Sequence, residues 1–365
     1  MAAESPEAPD GRRLAVMEDV AAMAGVSAMT VSRVLNTPEK VRPQTRARVM
    51  AAVQALDYRP NSAARVLATG RSGVLGVVSF DTTLYGPAST LFSIEQAARE
   101  HGYTVSIVSL SSLNRRSIGE GVERLRAQSA DGIMVVAPHE SAADGLKELP
   151  ADTPLVAVGA GGDVPFPVAA VDHRAGAERA VRHLLSLGHE TVVHLAGPAD
   201  WVDATGRVEG WRAALRDAGR DVPEMPAGDW SARSGYEHGR QIAADPGVTA
   251  VFAANDAMAL GLLRALREAG RDVPGDISVV GFDDVPEAAY FPPPLTTVRQ
   301  NFAEVGRRAF GLLLDRIGEA PRRPGGPPRP AASSNRNSSS GRAPGCAAGP
   351  DPVPTGTRLL PRPRC

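Results

Sequence analysis

The chain has 365 residues, of which 43% are hydrophobic and 22% charged, and this length predicts two or three compact units. No run of about 18 apolar residues predicts a membrane span, and the N-terminus lacks the apolar core of a secretion signal. The two cysteines, Cys346 and Cys365, lie near the C-terminus, which argues against a disulfide framework or a cysteine metal site. We therefore expect a cytoplasmic protein.

Basic residues are concentrated near the N-terminus. Between Gly11 and Ser72 there are ten basic and four acidic residues, whereas the whole chain has a net charge of −1. A basic unit attached to an acidic body predicts a polyanionic partner for that unit alone.

Residues 1–14 are expected to be disordered, and residues 15–60 to form three short helices. The predicted helices are Met17–Ala24, Ala28–Leu35 and Pro43–Leu56. Gly25 and Val26 make a tight turn between the first two, and Ser27 is a favourable N-cap. Two helices joined by such a turn predict a helix-turn-helix, the second helix entering the DNA major groove.

Residues 61–71 predict a hinge, with a short helix from Ser62 to Ala68 that Asn61 caps. A helix of this length with little apolar surface is marginal in isolation. We expect it to form only against a partner helix and DNA.

Residues 72–320 alternate between apolar runs and helical stretches, which is typical of a doubly wound parallel α/β fold. The predicted strands are Val74–Phe80, Val105–Leu110, Ile133–Ala137, Leu155–Val158, Val192–Ala196, Ala250–Ala254 and Ile277–Phe282. The predicted helices between them include Leu91–His101, Val122–Gln128, Ala175–Leu187, Gly210–Ala218, Gly235–Ala243 and Ala257–Ala269. About seven strands predict two lobes. The first comprises residues 72–172 and 295–320, and the second residues 173–294. The chain is expected to cross between them at Asp172 and at Pro292–Pro294.

The second helix carries the side chains expected to contact DNA. Hydroxyls of Ser27, Thr30 and Ser32 suit phosphates, as does the N-terminal end of the helix itself. Arg33 is long enough to reach a guanine edge, and Asn36 is placed to contact the backbone.

The pattern V-A-x-x-A-G-V-S-x-x-T-V-S-R-V-L-N, followed by Y-R-P-N-x-x-A-R-x-L, resembles the lac repressor family from Met17 to about Ile317. The resemblance implies a homodimer on a palindromic double-stranded DNA operator, and a periplasmic-binding-protein-like body controlled by a small sugar. It implies that Leu67 wedges into the minor groove, beside a small Ala64 and a DNA-contacting Asn61. Ala28 and Met29 occupy recognition positions where the lactose repressors have larger polar residues, so the operator should differ.

Polar side chains that follow strands, and aromatic rings near them, predict the effector site. They are Arg207, Asn255, Asp256 and Asp283, with Trp201, Trp230 and Phe302 as apolar faces. The resemblance implies effector contacts for Arg207, Trp230, Asn255, Asp283 and Phe302, and places Phe80 and Leu84 on the N-terminal lobe's side. Asp256 and Asp284 are alternatively structural caps. Gly159 stands where the lactose repressors have a ligand-binding carboxylate, which implies another sugar or another sugar face.

No catalytic constellation is visible: there is no phosphate-binding G-x-x-x-x-G-K-[ST] loop and no H-E-x-x-H zinc pair. His183, His189 and His194 form no convincing ligand set. We expect neither an enzyme nor a cofactor or metal. Two alternatives remain, namely a regulator that senses a purine or a partner protein, and a transport-type sugar-binding protein, which the basic headpiece disfavours.

Residues 321–365 are rich in Pro, Gly and Ser and are typical of a low-complexity tail. The segment SSNRNSSSGRA, Ser333–Ala343, can be encoded by codons that read VIEPELVVRAS after addition of one preceding G and a change of frame. That string resembles the last strand of the family, V-I-x-P-E-L-V-V-R-x-S. We infer a frameshift shortly before Ser333; the alternative is a natural tail.

Overall fold

The computed structural model describes residues 15–59, 70–150, 152–224 and 226–319. They form two compact units that divide between Ser72 and Gly73. The first is a helical headpiece and the second a two-lobed α/β body with a parallel sheet in each lobe, as the sequence predicts. The predicted hinge helix, Ser62 to Ala68, and the tail after residue 320 lie outside the described residues.

The headpiece consists of α1 (Met17–Ala24), α2 (Ala28–Asn36), a 3₁₀ turn (Pro38–Lys40) and α3 (Pro43–Ala55). Gly25 ends α1 with a φ of 63°, a left-handed conformation that glycine adopts without strain. This turn sets α1 against α2. The helices bury a small core made of Val20, Ala21, Ala24, Val31, Val34, Val49, Ala52 and Tyr58.

The first lobe contains a five-stranded parallel sheet in the order β2-β1-β3-β4-β5. Its strands are β1 (Val74–Phe80), β2 (Thr104–Leu110), β3 (Gly132–Val136), β4 (Leu155–Val158) and β5 (Val168–Ala169). The helices that cover it are α4 (Tyr85–Glu100), α5 (Arg115–Ala127), α6 (Ala142–Lys147) and the returning α11 (Phe302–Glu319). The strand order reverses between β1 and β3, and such a reversal opens a crevice at the carboxyl ends of the strands.

The second lobe contains a four-stranded parallel sheet in the order β6-β7-β8-β9. Its strands are β6 (Val193–Leu195), β7 (Ala250–Ala253), β8 (Ser278–Asp283) and β9 (Thr296–Arg299). Its helices are α7 (His173–Ser186), α8 (Val202–Asp217), α9 (Ala232–Ala244), α10 (Asp256–Glu268) and a 3₁₀ turn (Pro286–Tyr290). One apolar cluster lies on each face of the sheet, so its strands are buried on both sides.

The second lobe extends further along the chain than the sequence indicates. Residues from 295 onward were expected in the first lobe, but β9 pairs with β8 from Thr296 to Arg299 and belongs to the second sheet. The chain therefore crosses back after Arg299, and not at Pro292–Pro294. Periodicity missed β9 because three of the four residues in TTVR are polar, and it missed β5 because two residues are too few to show a pattern.

Candidate functional site

The N-terminal end of α2 presents hydroxyl groups. Oγ of Ser27 accepts a hydrogen bond from the backbone N of Thr30 at 3.2 Å, which confirms Ser27 as the N-cap. The two side-chain hydroxyls of this pair lie 3.0 Å apart. The helix start therefore combines a positive dipole end with hydroxyls, an arrangement that suits a phosphate.

The exposed face of α2 carries a long apolar side chain and a guanidinium one turn apart. Met29 is 65% exposed, and Arg33 is exposed four residues later on the same face. Ala28, Thr30 and Ser32 are only partly exposed. The side chain of Asn36, and the whole of Asn61, Ala64 and Leu67, lie outside the described residues.

In the body, Arg207 of α8 is buried, with 3% exposure, near the carboxyl ends of the second sheet. Its Nη1 donates to the carbonyl oxygen of Ala254 at 2.5 Å, and its Nη2 lies 3.7 Å from Oδ1 of Asp283. Its guanidinium carbon lies 4.1 Å from the ring centroid of Phe282 and 5.2 Å from that of Trp230. Arg207 is thus held by a charge, a carbonyl and two ring faces.

Asp283 ends β8 in an unusual backbone conformation, with a φ of 122°. Its Oδ1 accepts a hydrogen bond from Nε2 of Gln300 at 2.6 Å. Burial raises the pKa of Asp283, while Arg207 and the Gln300 hydrogen bond oppose that rise. Because a strained backbone persists only where its surroundings hold it, Asp283 has the character of a functional position.

Trp230 lies beside Arg207 and is hydrogen-bonded to Asn255. Oδ1 of Asn255 caps α10 by accepting from the backbone N of Met258 at 2.8 Å, and its Nδ2 donates to the carbonyl of Trp230 at 3.0 Å. Within the described residues, Nε1 of Trp230 and Nε of Arg207 are buried donors without an acceptor. Such donors cost about 1–3 kcal/mol each.

A cavity that opens to solvent lies between the lobes, and its space of about 400 Å³ includes part of that solvent. Its lining residues are Gly86, Pro87, Thr90, Val136, Pro138, Val158, Gly159, Ala170, Val171, His173, Asp203, Gln300, Phe302 and Val305. Of the seven effector residues predicted from the sequence, Phe302 is in this wall. Arg207 and Asp283 lie directly behind it, in contact with His173 and Gln300.

Four polar residues of the cavity wall were not predicted: Thr90, His173, Asp203 and Gln300. Nε2 of His173 lies 3.0 Å from Oδ1 of Asp203, and its Nδ1 lies 3.4 Å from Nη2 of Arg207. Gln300 directly follows β9, so recognition of that strand would have indicated it. His173 begins α7 and Asp203 lies in the first turn of α8, and sequence patterns assign polar residues at helix starts to capping.

The first lobe contributes Phe80 and Leu84, which both pack against the main apolar cluster of the second lobe. Phe80 contacts the ring of His139, with centroids 5.1 Å apart. His139 in turn contacts Trp201 at 4.6 Å, and Trp201 contacts Trp230 at 5.6 Å. Aromatic contacts therefore run from the first lobe to Trp230, beside Arg207.

Asp256 and Asp284 hold the second sheet together. Asp256 accepts hydrogen bonds from the backbone N of Val285 at 2.9 Å and the hydroxyl of Thr297 at 2.6 Å. Asp284 pairs with Arg299. Both are structural, but the suggestion that Asp256 caps its helix is wrong, because Asn255 occupies that position.

Within the described ranges, no group of three or more His, Cys, Asp or Glu side chains is arranged to hold a metal ion. None of the helices described is both long and apolar enough to cross a membrane.

Two family profiles match the chain. The profile of the bacterial regulatory proteins of the lacI family matches residues 16–61. That of the periplasmic binding protein-like domain matches residues 181–339.

Known proteins match over most of the length. The lactose operon repressor of Klebsiella pneumoniae is 36% identical, over 83% of this chain and 86% of that protein. A solved lac repressor dimer bound to operator and the anti-inducer ONPF has a TM-score of 0.73 at 33% identity, covering 84% of this chain and 94% of that one. A complex of the transcriptional regulator CelR with cellobiose has a TM-score of 0.60 at 33% identity, covering 84% and 95%.

Proposed function

Because this chain belongs to the lacI family of bacterial regulatory proteins, we propose that it is a sequence-specific transcriptional repressor of carbohydrate-utilisation genes. It binds a palindromic operator as a homodimer, in the cytoplasm. A small neutral sugar, bound between the two lobes, controls that binding without a cofactor or metal.

The exposed face of α2 supports the DNA-binding part. Arg33 offers a bidentate donor for a guanine, and Met29 an apolar contact that suits the methyl group of a thymine. The hydroxyls of Ser27 and Thr30 and the dipole at the helix start suit phosphates, which fix the orientation of the helix on the duplex. A homodimer repeats these contacts on a second half-site.

The polar groups in the cavity wall and directly behind it support the sensing part. Arg207 and Asp283 offer a planar donor and an acceptor, and Gln300 offers an amide; these groups can form paired hydrogen bonds with adjacent sugar hydroxyls. Trp230 and Phe302 supply the ring faces that cover C–H surfaces. This site is the observation that carries the proposal, because its charged groups are fixed by the fold before any ligand arrives.

Control of DNA binding then follows from the two lobes. A ligand that contacts both lobes favours the relative orientation in which both sets of contacts form, and it can shift DNA affinity only by its different affinity for the two arrangements. The resemblance to the family implies DNA contacts for Asn61, Ala64 and Leu67, so we predict that the hinge transmits the effector's influence to the headpiece.

The test measures fluorescence anisotropy of a labelled palindrome, selected from random duplexes with the purified full chain, without and with neutral sugars and purine bases. We expect tight binding to one palindrome and a change in affinity with a sugar. A response to hypoxanthine or guanine alone would replace the sugar by a purine. Absence of any preferred palindrome would overturn the repressor function.

A further inference from the structure

The cavity between the lobes has an unused space on one wall. Gly159 follows β4 with a φ of 70°, and a side-chain carbon placed there would meet nothing within 4 Å. Space for a side chain is therefore empty at this point, while the positive φ favours glycine over a residue with a side chain. Polar recognition on this side of the cavity must come from another residue or from none.

A carboxylate stands in the same cavity wall, on the second lobe. Asp203 lies in the first turn of α8, and its side chain is 21% exposed. One of its oxygens, Oδ1, is held by Nε2 of His173 at 3.0 Å. A carboxylate has about four acceptor sites, so most of them stay available to a ligand in the cavity.

The charge on Asp203 is stabilised by its surroundings. Burial alone raises the pKa of Asp203, but interaction with His173 and the positive charge of Arg207 outweigh it and keep the pKa below its ordinary value. The N-terminal end of α8 also favours a negative charge. An ionised, oriented carboxylate accepts hydrogen bonds from hydroxyls and repels an anion.

We propose that Asp203, positioned by His173, binds a pair of hydroxyl groups of the effector and makes the site select an uncharged, unphosphorylated saccharide. Asp203 and His173 thereby supply hydroxyl recognition in a cavity where Gly159 contributes no side chain. This inference rests on the proposed sugar-sensing function.

The contacts of Arg207 explain why the site would select an uncharged ligand over an anion. Arg207 is the positive group next to the cavity, and it is already engaged by Asp283 and by Nδ1 of His173. A phosphate or carboxylate on the ligand would therefore meet the negative charge of Asp203, while Arg207 lies behind the cavity wall and is already paired with Asp283. Uncharged hydroxyls instead gain charge-assisted hydrogen bonds.

The experiment uses the full chain and calorimetric titration with named probes: glucose, galactose, ribose, lactose and cellobiose, and glucose 6-phosphate and gluconate as anionic counterparts. We expect at least one neutral sugar and neither anion to bind. Asp203→Asn and Asp203→Ala should weaken that sugar about 10- to 100-fold. Asp217→Asn, at the far end of the same helix and exposed, is the matched control and should change nothing.

Deoxy analogues of the bound sugar locate the contact. The analogue that lacks the hydroxyl bound by Asp203 should bind the wild-type chain weakly, and should lose no further affinity in Asp203→Ala. His173→Ala should weaken the sugar as well, and His173→Gln should restore part of the affinity, since an amide can donate to Asp203. If Asp203 only filled space in the cavity wall, neither the dependence on the deoxy analogue nor the rescue by His173→Gln would be observed.

Binding of an anion in preference to every neutral sugar, failure of all the neutral sugars to bind, or wild-type affinity in Asp203→Ala would each overturn the proposal. Operator binding without ligand is measured in parallel for the wild-type chain and should be unchanged in Asp217→Asn. Loss of operator binding in the wild-type chain would instead refute the repressor function, so the two failures are distinguishable.

Discussion

Nδ1 of His139, in the first lobe, lies 3.1 Å from Oδ2 of Asp200, in the second. Backbone contacts flank this pair, because Val202 donates to the carbonyl of Pro138 at 2.9 Å and Glu140 to that of Asp200 at 3.1 Å. These contacts adjoin the wall that contains Asp203. These contacts therefore connect the two lobes directly beside the proposed effector site.

Replacement of His139 by Ala should uncouple the lobes, because it removes the Asp200 contact and the ring contacts with Phe80 and Trp201. The body should lose about 1–3 kcal/mol of stability. Trp201, Trp211 and Trp230 are the three tryptophans of the chain and lie in the second lobe. The urea unfolding transition monitored by tryptophan fluorescence should therefore no longer coincide with the transition monitored by circular dichroism.

His101→Ala is the matched control for this uncoupling. The ring of His101 packs on Phe310 within the first lobe, so its loss should not separate the second-lobe transition. Coincident, unshifted transitions in His139→Ala would show that these contacts between the lobes contribute nothing.

His194 should make the protein less stable in acid. It is fully buried, stacked on Phe252, and burial lowers its pKa to about 4. The unfolded chain then binds a proton that the folded chain does not, so stability is complete above about pH 6.5 and falls as the pH drops toward 4. The loss should approach about 3 kcal/mol.

Comparison of the wild-type chain with His194→Asn isolates this contribution, because the other titrating groups cancel in the difference. Urea unfolding at a series of pH values should show the gap between the two chains narrowing as the pH falls. A constant gap would mean that His194 has its ordinary pKa.

Asp256 should make the protein less stable as the pH rises. Burial, and then the charge of Asp283, raise its pKa, so the folded chain keeps a proton that the unfolded chain releases. Stability therefore falls as the pH rises from about 4 toward the raised pKa. Asp256→Asn cannot titrate, and its free energy of unfolding should change less between about pH 5 and about pH 9, by on the order of 2 kcal/mol. Equal changes in the two chains would contradict the raised pKa.

Arg33→Ala should weaken binding to the selected palindrome about 10- to 100-fold and relax preference at one base pair of each half-site. Arg33→Lys should restore little of the lost affinity, since an ammonium group cannot form the bidentate contact with guanine. Arg220→Ala removes an exposed arginine of the body and serves as the charge-matched control. Competition anisotropy at physiological salt measures both effects; an equal loss on every sequence would assign Arg33 to phosphate.

Resequencing the gene between the codons for Ile317 and Ser333 should reveal a one-nucleotide shift. The restored chain, which ends its body with VIEPELVVRAS, should unfold at a higher urea concentration than the present one, because an added strand buries apolar side chains. An unshifted gene would make residues 321–365 a natural tail.

The local sequence predicted those parts of the fold whose signals lie within a few residues. Met17–Ala24 and Leu155–Val158 match their predictions to the residue, because a glycine turn bounds the helix and buried apolar residues fill the strand. Helices in the body were predicted too short at their N-terminal ends, as for α8, which begins at Val202 and was expected only from Gly210. Polar first turns carry no apolar periodicity.

The sequence by itself determined the helix-turn-helix, the alternation of strands and helices, and several residue types at or behind the cavity wall, because capping and periodicity act over one or two turns. Only the tertiary structure decided that Asp203 meets His173, that His139 meets Asp200, and that β9 joins the second sheet. These partners are far apart in sequence. Their proximity depends on where the ends of parallel strands and helices converge, which local preferences do not encode.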